Sequence, residues 1–465
     1  MGIAASLFFN TDEPEICLDW RVRPSGEQYN TQQERWNDLA IYLRDDLAKR
    51  SGCAIAWWLQ GSYKFGTQIR PASPDEEFDI DVGIYFRWAG EPNDGEHSPL
   101  DLKTFVQESL VRYCDDDGND ASEVEDPPKA RCSRVHFDDS FHIDVPSYHL
   151  DSDRDARALA TAENEWENSD PKAIYEWWKD AIPQSDRPRC RRLVRYFKMW
   201  AALRFGEGSR PSSILLTVLV GEAFEELDKD KLSGDDEFLA ATLRVVVDRL
   251  QQSAIVKNPA NKEENLNRLS QEDSSSLLDK LEGFLSIAER GLVTTTKTAA
   301  ADVWSEAFDQ FFPIPEEDDE EEAVLKAAQN RALATLIFNP LVNVTATVGS
   351  RTFTGVDGIG PIPKGCEITF TLANAHALPP GAEVRWMVRN SGRGAEEVND
   401  LGHRAGEGIS TSRDSAYHGD HYMDVSVRLN GRLIGSKRVK VLVSGLGLPK
   451  RNPPRPAWTT LRKRR

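Results

Sequence analysis

Apolar residues recur at three- and four-residue intervals from Trp36 through Leu39, Ala40 and Leu43 to Leu47, and this spacing predicts a helix over Thr31–Arg50 with one face against a core. The period then changes. Trp57-Trp58-Leu59 reads as a buried strand leading into Gly61-Ser62, and Phe78–Phe86 alternates with the period of two that a strand requires. Asp138–Tyr148 contains a third such strand. From Pro171 to Phe312 helical periodicity returns, as in Arg191–Phe205 and Ile214–Phe224. Short β-rich runs follow: Val342–Val348, Glu367–Leu372, Glu383–Val388, Met423–Leu429 and Lys437–Val443. Asn430-Gly431 favours a tight hairpin turn because both residues tolerate positive φ, so this last region is most simply a small β-sandwich with Trp386 in its core.

At 465 residues the chain exceeds the size at which one core stops growing, so two or three domains are expected. The run Glu316-Glu317-Asp318-Asp319-Glu320-Glu321-Glu322 is too charged for a core and follows Pro313 and Pro315, which places a boundary there. A connecting helix is expected over Ala323–Phe338. The division is then 1–170, 171–312, 313–338 as acidic linker and connecting helix, 339–446, and 447–465 as a basic, proline-rich tail that should be disordered or bind an anionic surface. The net charge of -19 opposes general binding to a nucleic acid backbone, so any phosphate site must be local. The 6 cysteines show neither a C-x-x-C pair nor zinc spacing and should be reduced thiols. No apolar run approaches the roughly 20 residues needed to span a bilayer, and Met1–Asn10 lacks a signal-peptide pattern, so a cytoplasmic protein is expected.

Chemistry is concentrated in Gly61-Ser62-Tyr63-Lys64-Phe65-Gly66-Thr67, in Asp79-Ile80-Asp81, and in His142-Ile143-Asp144-Val145. Residues two apart on a strand share a face, so Asp79 and Asp81 present paired carboxylates while Ile80 and Val82 enter the core. Asp144 on a neighbouring strand completes a cluster of hard oxygen donors suited to Mg2+, which takes carboxylates together with water and substrate phosphates. Two such ions would activate an attacking ribose hydroxyl and stabilise charge on the α-phosphate and departing pyrophosphate. The Gly61-Ser62 turn lets backbone approach phosphate oxygens, and Ser62 can donate to them. Taken singly, Gly-Ser is an ordinary turn and Asp-x-Asp an ordinary solvated edge; their order, strand context and third carboxylate give the combination its weight. On the helix around Cys190–Trp200, Leu193, Phe197 and Trp200 form the buried stripe, and Arg191, Arg195 and Lys198 occupy another face from which they could grip a triphosphate. Pro211-Ser212-Ser213 opens the next helix, a natural anion site or an ordinary cap.

These residues, with Ser169-Asp170-Pro171 before Trp177-Trp178, resemble the bacterial cGAS/DncV-like nucleotidyltransferases over roughly residues 30–310. The resemblance implies an α+β multidomain chain: a polymerase-β-like nucleotidyltransferase core, a helical half completing the active site, and the β-sandwich-like domain beyond. It implies Asp79, Asp81 and Asp144 as ligands of Mg2+, for which Mn2+ can substitute. Gly61 and Ser62 would hold the donor triphosphate, with Lys198 and Ser213 on its phosphates. The implied activity is synthesis of a cyclic or short linear oligonucleotide from ATP- or GTP-type nucleotides in anti-phage signalling, with an effector protein reading the product. Ile214 stands where several relatives place a base-stacking aromatic, and no zinc thumb of the animal DNA sensor is visible. Tyr63, Ile214 and Arg210 are expected around the base pockets. Residues 340–445, including Val384–Asn390 and Gly419–Tyr422, resemble the adenylyl/guanylyl and SMODS C-terminal sensor domain, which implies an unknown activating ligand there. His403, His418 and His421 lack metal spacing. The competing readings are a transferase that modifies RNA or protein, and an inactive nucleotide-binding sensor; the acidic balance weighs against RNA.

Overall fold

The computed structural model describes residues 2–12, 14, 17–73, 76–116, 118–138, 141–313, 315, 338–429 and 432–444. The acidic run, residues 323–337 of the expected connecting helix, Asn430-Gly431 and the basic tail lie outside the described residues. The chain divides into two units, 1–308 with 312–315, and 309–311 with 316–465.

In the first unit, helix α1 (Gly26–Ser51) starts five residues before the expected Thr31. A capping box sets that start: the Ser25 hydroxyl accepts from the Gln28 amide while the Gln28 side chain accepts from the Ser25 amide. Leu39, Ala40, Leu43 and Leu47 are fully buried, each leucine contributing about 1.5–3 kcal/mol of burial. They pack on Ile80, Val82, Ile84 and Phe86 of the central strand β2 (Phe78–Arg87). Strand β1 (Ala54–Gln60) pairs antiparallel with β2, and Trp57, Trp58 and Leu59 are half-buried, Trp57 and Leu59 against this core and Trp58 on the other face against Tyr85, Tyr148 and Leu159.

Helix α2 (Gly61–Phe65) follows β1 directly, and helix α3 (Pro99–Cys114) packs beside α1. Beyond lie β3 (Ser133–Phe137), β4 (Phe141–Val145), β5 (Ser147–Asp151) and β6 (Ala156–Ala160). The single strand expected over Asp138–Tyr148 is therefore two, β4 and β5. Pro146 interrupts it, having no N–H for the ladder, while its carbonyl still accepts from Ile84 N at 2.9 Å. Both halves run parallel to β2 in one register, with Asp79 opposite His142, Asp81 opposite Asp144 and Arg87 opposite Leu150. Strand β3 pairs antiparallel with β4 and β6 with β5.

Helices then follow: α4 (Pro171–Ala181), α5 (Arg187–Arg204), α6 (Ser213–Glu226), α7 (Asp235–Gln252), α8 (Gln271–Leu292) and α9 (Lys297–Phe308). Leu193, Phe197 and Trp200 form the buried stripe of α5, and Trp200 stacks on Phe284 of α8 with ring centroids 5.0 Å apart. No helix among the described residues is long and apolar enough to cross a membrane. All six cysteines are free thiols.

The second unit consists of two sheets. One has β7 (Val342–Val348), β8 (Arg351–Val356), β10 (Glu367–Leu372) and β13 (Ser410–Asp414) in the order β8-β7-β10-β13. The other has β9 (Gly358–Ile362), β11 (Ala382–Arg389), β12 (Arg404–Glu407), β14 (Gly419–Leu429) and β15 (Arg432–Val443) in the order β9-β15-β14-β11-β12. Alternate residues of both sheets make one core in which Trp386 is buried, its indole N–H donating to the Gly408 carbonyl at 2.7 Å.

Candidate active site

Strand periodicity and register bring the three aspartates together. Asp79 and Asp81 share a face of β2, and the parallel pairing sets Asp144 of β4 directly beside Asp81. Gly61 closes the other side. Its φ is +56°, and a Cβ there would lie 1.8 Å from Asp81 Oδ2, so only glycine lets the turn approach this carboxylate. Burial, and after it the charges of Asp79 and Asp144, push Asp81 well above the ordinary carboxylate range, while Lys198 and Arg134 pull it back. Asp144 goes the other way. Burial opposes its charge, but the fork of Arg134, with Nε 2.5 Å from Oδ1 and Nη2 2.8 Å from Oδ2, prevails and lowers its pKa.

Asp79, His142 and Asp144 present donor atoms all within 4.8 Å of one another, and His142 Nε2 lies 3.2 Å from Asp79 Oδ1. These oxygen-rich groups, with Asp81 frustrated by like charge, fit a divalent cation, which would relieve the repulsion that raises Asp81.

The basic face of α5, expected to grip a triphosphate, contacts the turn after Gly61-Ser62. Arg191 Nε donates to the Phe65 carbonyl at 2.8 Å, Arg195 Nη1 to the Gly66 carbonyl at 2.8 Å, and Lys198 Nζ to the Thr67 carbonyl at 3.3 Å and hydroxyl at 3.2 Å. Cations at positions i, i+4 and i+7 of one helix thus hold consecutive carbonyls of the turn that follows Gly61-Ser62. Arg195 is also paired with Asp19. Lys198 is buried; desolvation, outweighing the attraction of Asp79 and Asp81, lowers its pKa to about 7.

Ser62 sits in the single turn of α2, its carbonyl accepting from the Thr67 amide at 2.9 Å. Ser213 is the exposed first residue of α6, a helix that packs on α2; the cap itself is Ser212, whose hydroxyl accepts from Leu215 N at 3.3 Å. Tyr63 is buried, stacked on Tyr29 at 4.9 Å and set edge-on to Trp36. Arg210 Nη2 donates to Glu76 Oε1 at 2.6 Å.

Arg134 and His142 escaped the sequence reading as site residues. A signal existed: Ser133-Arg134-Val135-His136-Phe137 alternates as Phe141-His142-Ile143-Asp144-Val145 does, and folding one against the other puts Arg134 opposite Asp144 and His136 opposite His142. Also unforeseen was Gln60, opposite Asp81, which donates to Tyr85 Oη at 2.9 Å and accepts from Tyr148 Oη at 3.1 Å.

Residues 55–148 match the family described as "Cyclic GMP-AMP synthase DncV-like, nucleotidyltransferase domain", and residues 342–444 match the "Adenylyl/Guanylyl and SMODS C-terminal sensor domain". The chain is 28% identical over 449 residues to a cyclic GMP-AMP synthase of Escherichia albertii, covering 94% of this chain and 96% of that one. It is 25% identical over 290 residues to a c-di-GMP synthase of Roseivirga ehrenbergii, covering 55% and 74%. The Vibrio cholerae DncV cyclic AMP-GMP synthase, solved in complex with nonhydrolyzable GTP, superposes with a TM-score of 0.56 at 19% identity over 68% of this chain and 100% of that one, a likeness of fold.

Proposed function

We propose that this chain, a DncV-like nucleotidyltransferase carrying an adenylyl/guanylyl and SMODS C-terminal sensor domain, joins ATP- or GTP-type nucleotides into a cyclic oligonucleotide with release of pyrophosphate. The observation that carries the proposal is the convergence of Asp79, Asp81 and Asp144 beside Gly61, with Asp81 raised by burial and by its neighbours. Two Mg2+ ions, replaceable by Mn2+, would be held by these carboxylates and supply neutralisation of charge on the α-phosphate and leaving pyrophosphate.

The chain's own groups do the remaining work. Asp144, kept ionised by Arg134, accepts the hydrogen bond of the attacking ribose hydroxyl and helps it lose its proton. Gly61 and Ser62 offer amide and hydroxyl donors to the donor triphosphate, and Ser213 at the start of α6 offers another hydroxyl. Lys198 becomes fully cationic when the phosphates arrive. Arg195 acts through position, fixing the Gly66 turn rather than touching substrate. Catalysis is then alignment and preorganised charge. The second unit governs when synthesis occurs by binding an activating ligand, and an effector protein reads the product in anti-phage signalling; support for this part is the match of residues 342–444 to the sensor family.

Incubation of the full chain with all four labelled nucleoside triphosphates and Mg2+, beside an Asp79→Asn, Asp81→Asn double variant, tests the synthase. A phosphatase-resistant oligonucleotide should appear with the intact chain only, resolved by mass spectrometry. Equal product from the double variant would refute the site, and label transferred to protein or RNA would refute the product.

A further inference from the structure

We propose a second metal site in the first unit, adjoining the carboxylate cluster and meeting it at His142: a transition-metal site of Zn2+ type formed by Glu77, His136 and His142. His136 of β3 and His142 of β4 are directly opposite each other on adjacent antiparallel strands, so both imidazoles rise from one face. Their ring centroids are 5.6 Å apart. Glu77, just before β2, comes between them, and its Oε2 is 2.9 Å from His136 Nδ1 and 2.9 Å from His142 Nδ1. All the donor atoms fall within 4.8 Å of one another.

Ligands about 2.0 Å from a tetrahedral zinc lie roughly 3.3 Å apart; the two Glu77–histidine separations need to open by only a few tenths of an ångström, and the two imidazole nitrogens already lie within 4.8 Å of each other. The donor set decides which ion. Two imidazoles and one carboxylate suit zinc and its first-row neighbours, whereas Mg2+ prefers oxygen and does not compete well for nitrogen. His142 is also prepared as a ligand. Its second nitrogen, Nε2, lies 3.2 Å from Asp79 Oδ1 without hydrogen-bond geometry, so a small turn of either group would give the carboxylate–histidine–metal arrangement that fixes tautomer and ring orientation in zinc sites. With His136 28% and Glu77 34% exposed against 10% for His142, the site is reached from solvent on one side and backed by protein on the other. Occupancy would clamp β3 and β4 to the start of β2 and immobilise the ring that abuts Asp79.

Cobalt serves as the probe because its visible absorption reports coordination. The full-length protein is titrated with Co2+ while millimolar Mg2+ occupies the carboxylates. The expected result is an intense d–d band, diagnostic of low-coordinate nitrogen ligation, that saturates at one equivalent and is abolished by added Zn2+. His136→Ala, and separately Glu77→Gln, should weaken Co2+ binding by at least about 100-fold, since losing even a group that only orients a ligand costs about 10–100-fold. Glu77→Gln preserves shape and tests the same ligand set if His136→Ala fails to fold. Only the weak absorption of octahedral Co2+, or a band unchanged in both variants, would overturn the proposal; a band lost in Asp79→Asn but kept in His136→Ala would place the ion in the carboxylate cluster instead. No nucleotide is needed, so failure here leaves the synthase reading intact.

Discussion

Gly61→Ala should damage turnover far more than stability. Alanine at φ +56° costs about 1–2 kcal/mol in backbone strain. Its Cβ would also lie 1.8 Å from Asp81 Oδ2, forcing that side chain off its rotamer at about 0.5–1.5 kcal/mol. Gly52→Ala separates the two effects, because Gly52 has φ +71° but no atom within 4 Å of where its new methyl would stand, so it carries the backbone cost alone. Denaturant melts should place Gly61→Ala about 1 kcal/mol below Gly52→Ala. Turnover should diverge much more, since displacing a reacting-site group by about 1 Å can cost about 100-fold. Nucleotide incorporation with saturating Mg2+ measures this for both variants beside wild type. Near-wild-type turnover in Gly61→Ala, or an equal loss in Gly52→Ala, would show that the close approach to Asp81 has no part in the chemistry.

Arg134→Met leaves Asp144 without its fork and should destabilise the protein by about 3–5 kcal/mol, with Mg2+ raising the melting temperature more in the variant than in wild type. Because Asp144 has a lowered folded pKa, its wild-type contribution is present above about pH 4 and is lost as pH falls through the lowered value; melts against pH should show that contribution missing in Arg134→Met. Lys198, with its pKa lowered to about 7, is largely neutral at about pH 8 and should take up a proton when a triphosphate binds. Calorimetry in buffers of different ionisation enthalpy reads that uptake, and its persistence in Lys198→Met would assign it elsewhere. The same shift means that the unfolded chain binds more protons between about pH 7 and 10, so the Lys198 contribution to stability rises with pH across that window.

The aspartates were legible because a strand's period of two is local: Asp79 and Asp81 must share a face wherever β2 lies. Their meeting with Asp144 required only that the strands be neighbours, and the sheet makes them so. Arg134 depended on the register of β3 against β4, a non-local fact that the sequence shows only as matching alternation on either side of a turn. One misjudged boundary had consequences elsewhere. With α1 expected to begin at Thr31, Tyr29 had no assigned place and its stacking on Tyr63 was not foreseen; the capping box at Ser25 puts Tyr29 on the helix beside Tyr63. The β-rich runs of the second unit were plain in advance because alternation and β-branched residues coincide there, as in Val342–Val348 and Glu367–Leu372.

Spacing of cations on α5 was equally visible, but not what they bind. A triphosphate and a row of backbone carbonyls both present oxygen, and sequence alone does not separate them. Here the side chains of Arg191, Arg195 and Lys198 hold the carbonyls of Phe65, Gly66 and Thr67, which ties the helical half to the turn after Gly61-Ser62. In a chain of net charge -19 this arrangement has a physical logic. Cations left free on the surface would be neutralised by the many acids around them, whereas Lys198, buried near Asp79 and Asp81, keeps its field where salt screens it least. On the proposed reading the phosphate site is local, formed by the turn at Gly61-Ser62 with Lys198 and Ser213 beside it, and the surrounding acids would oppose the extended backbone of a nucleic acid.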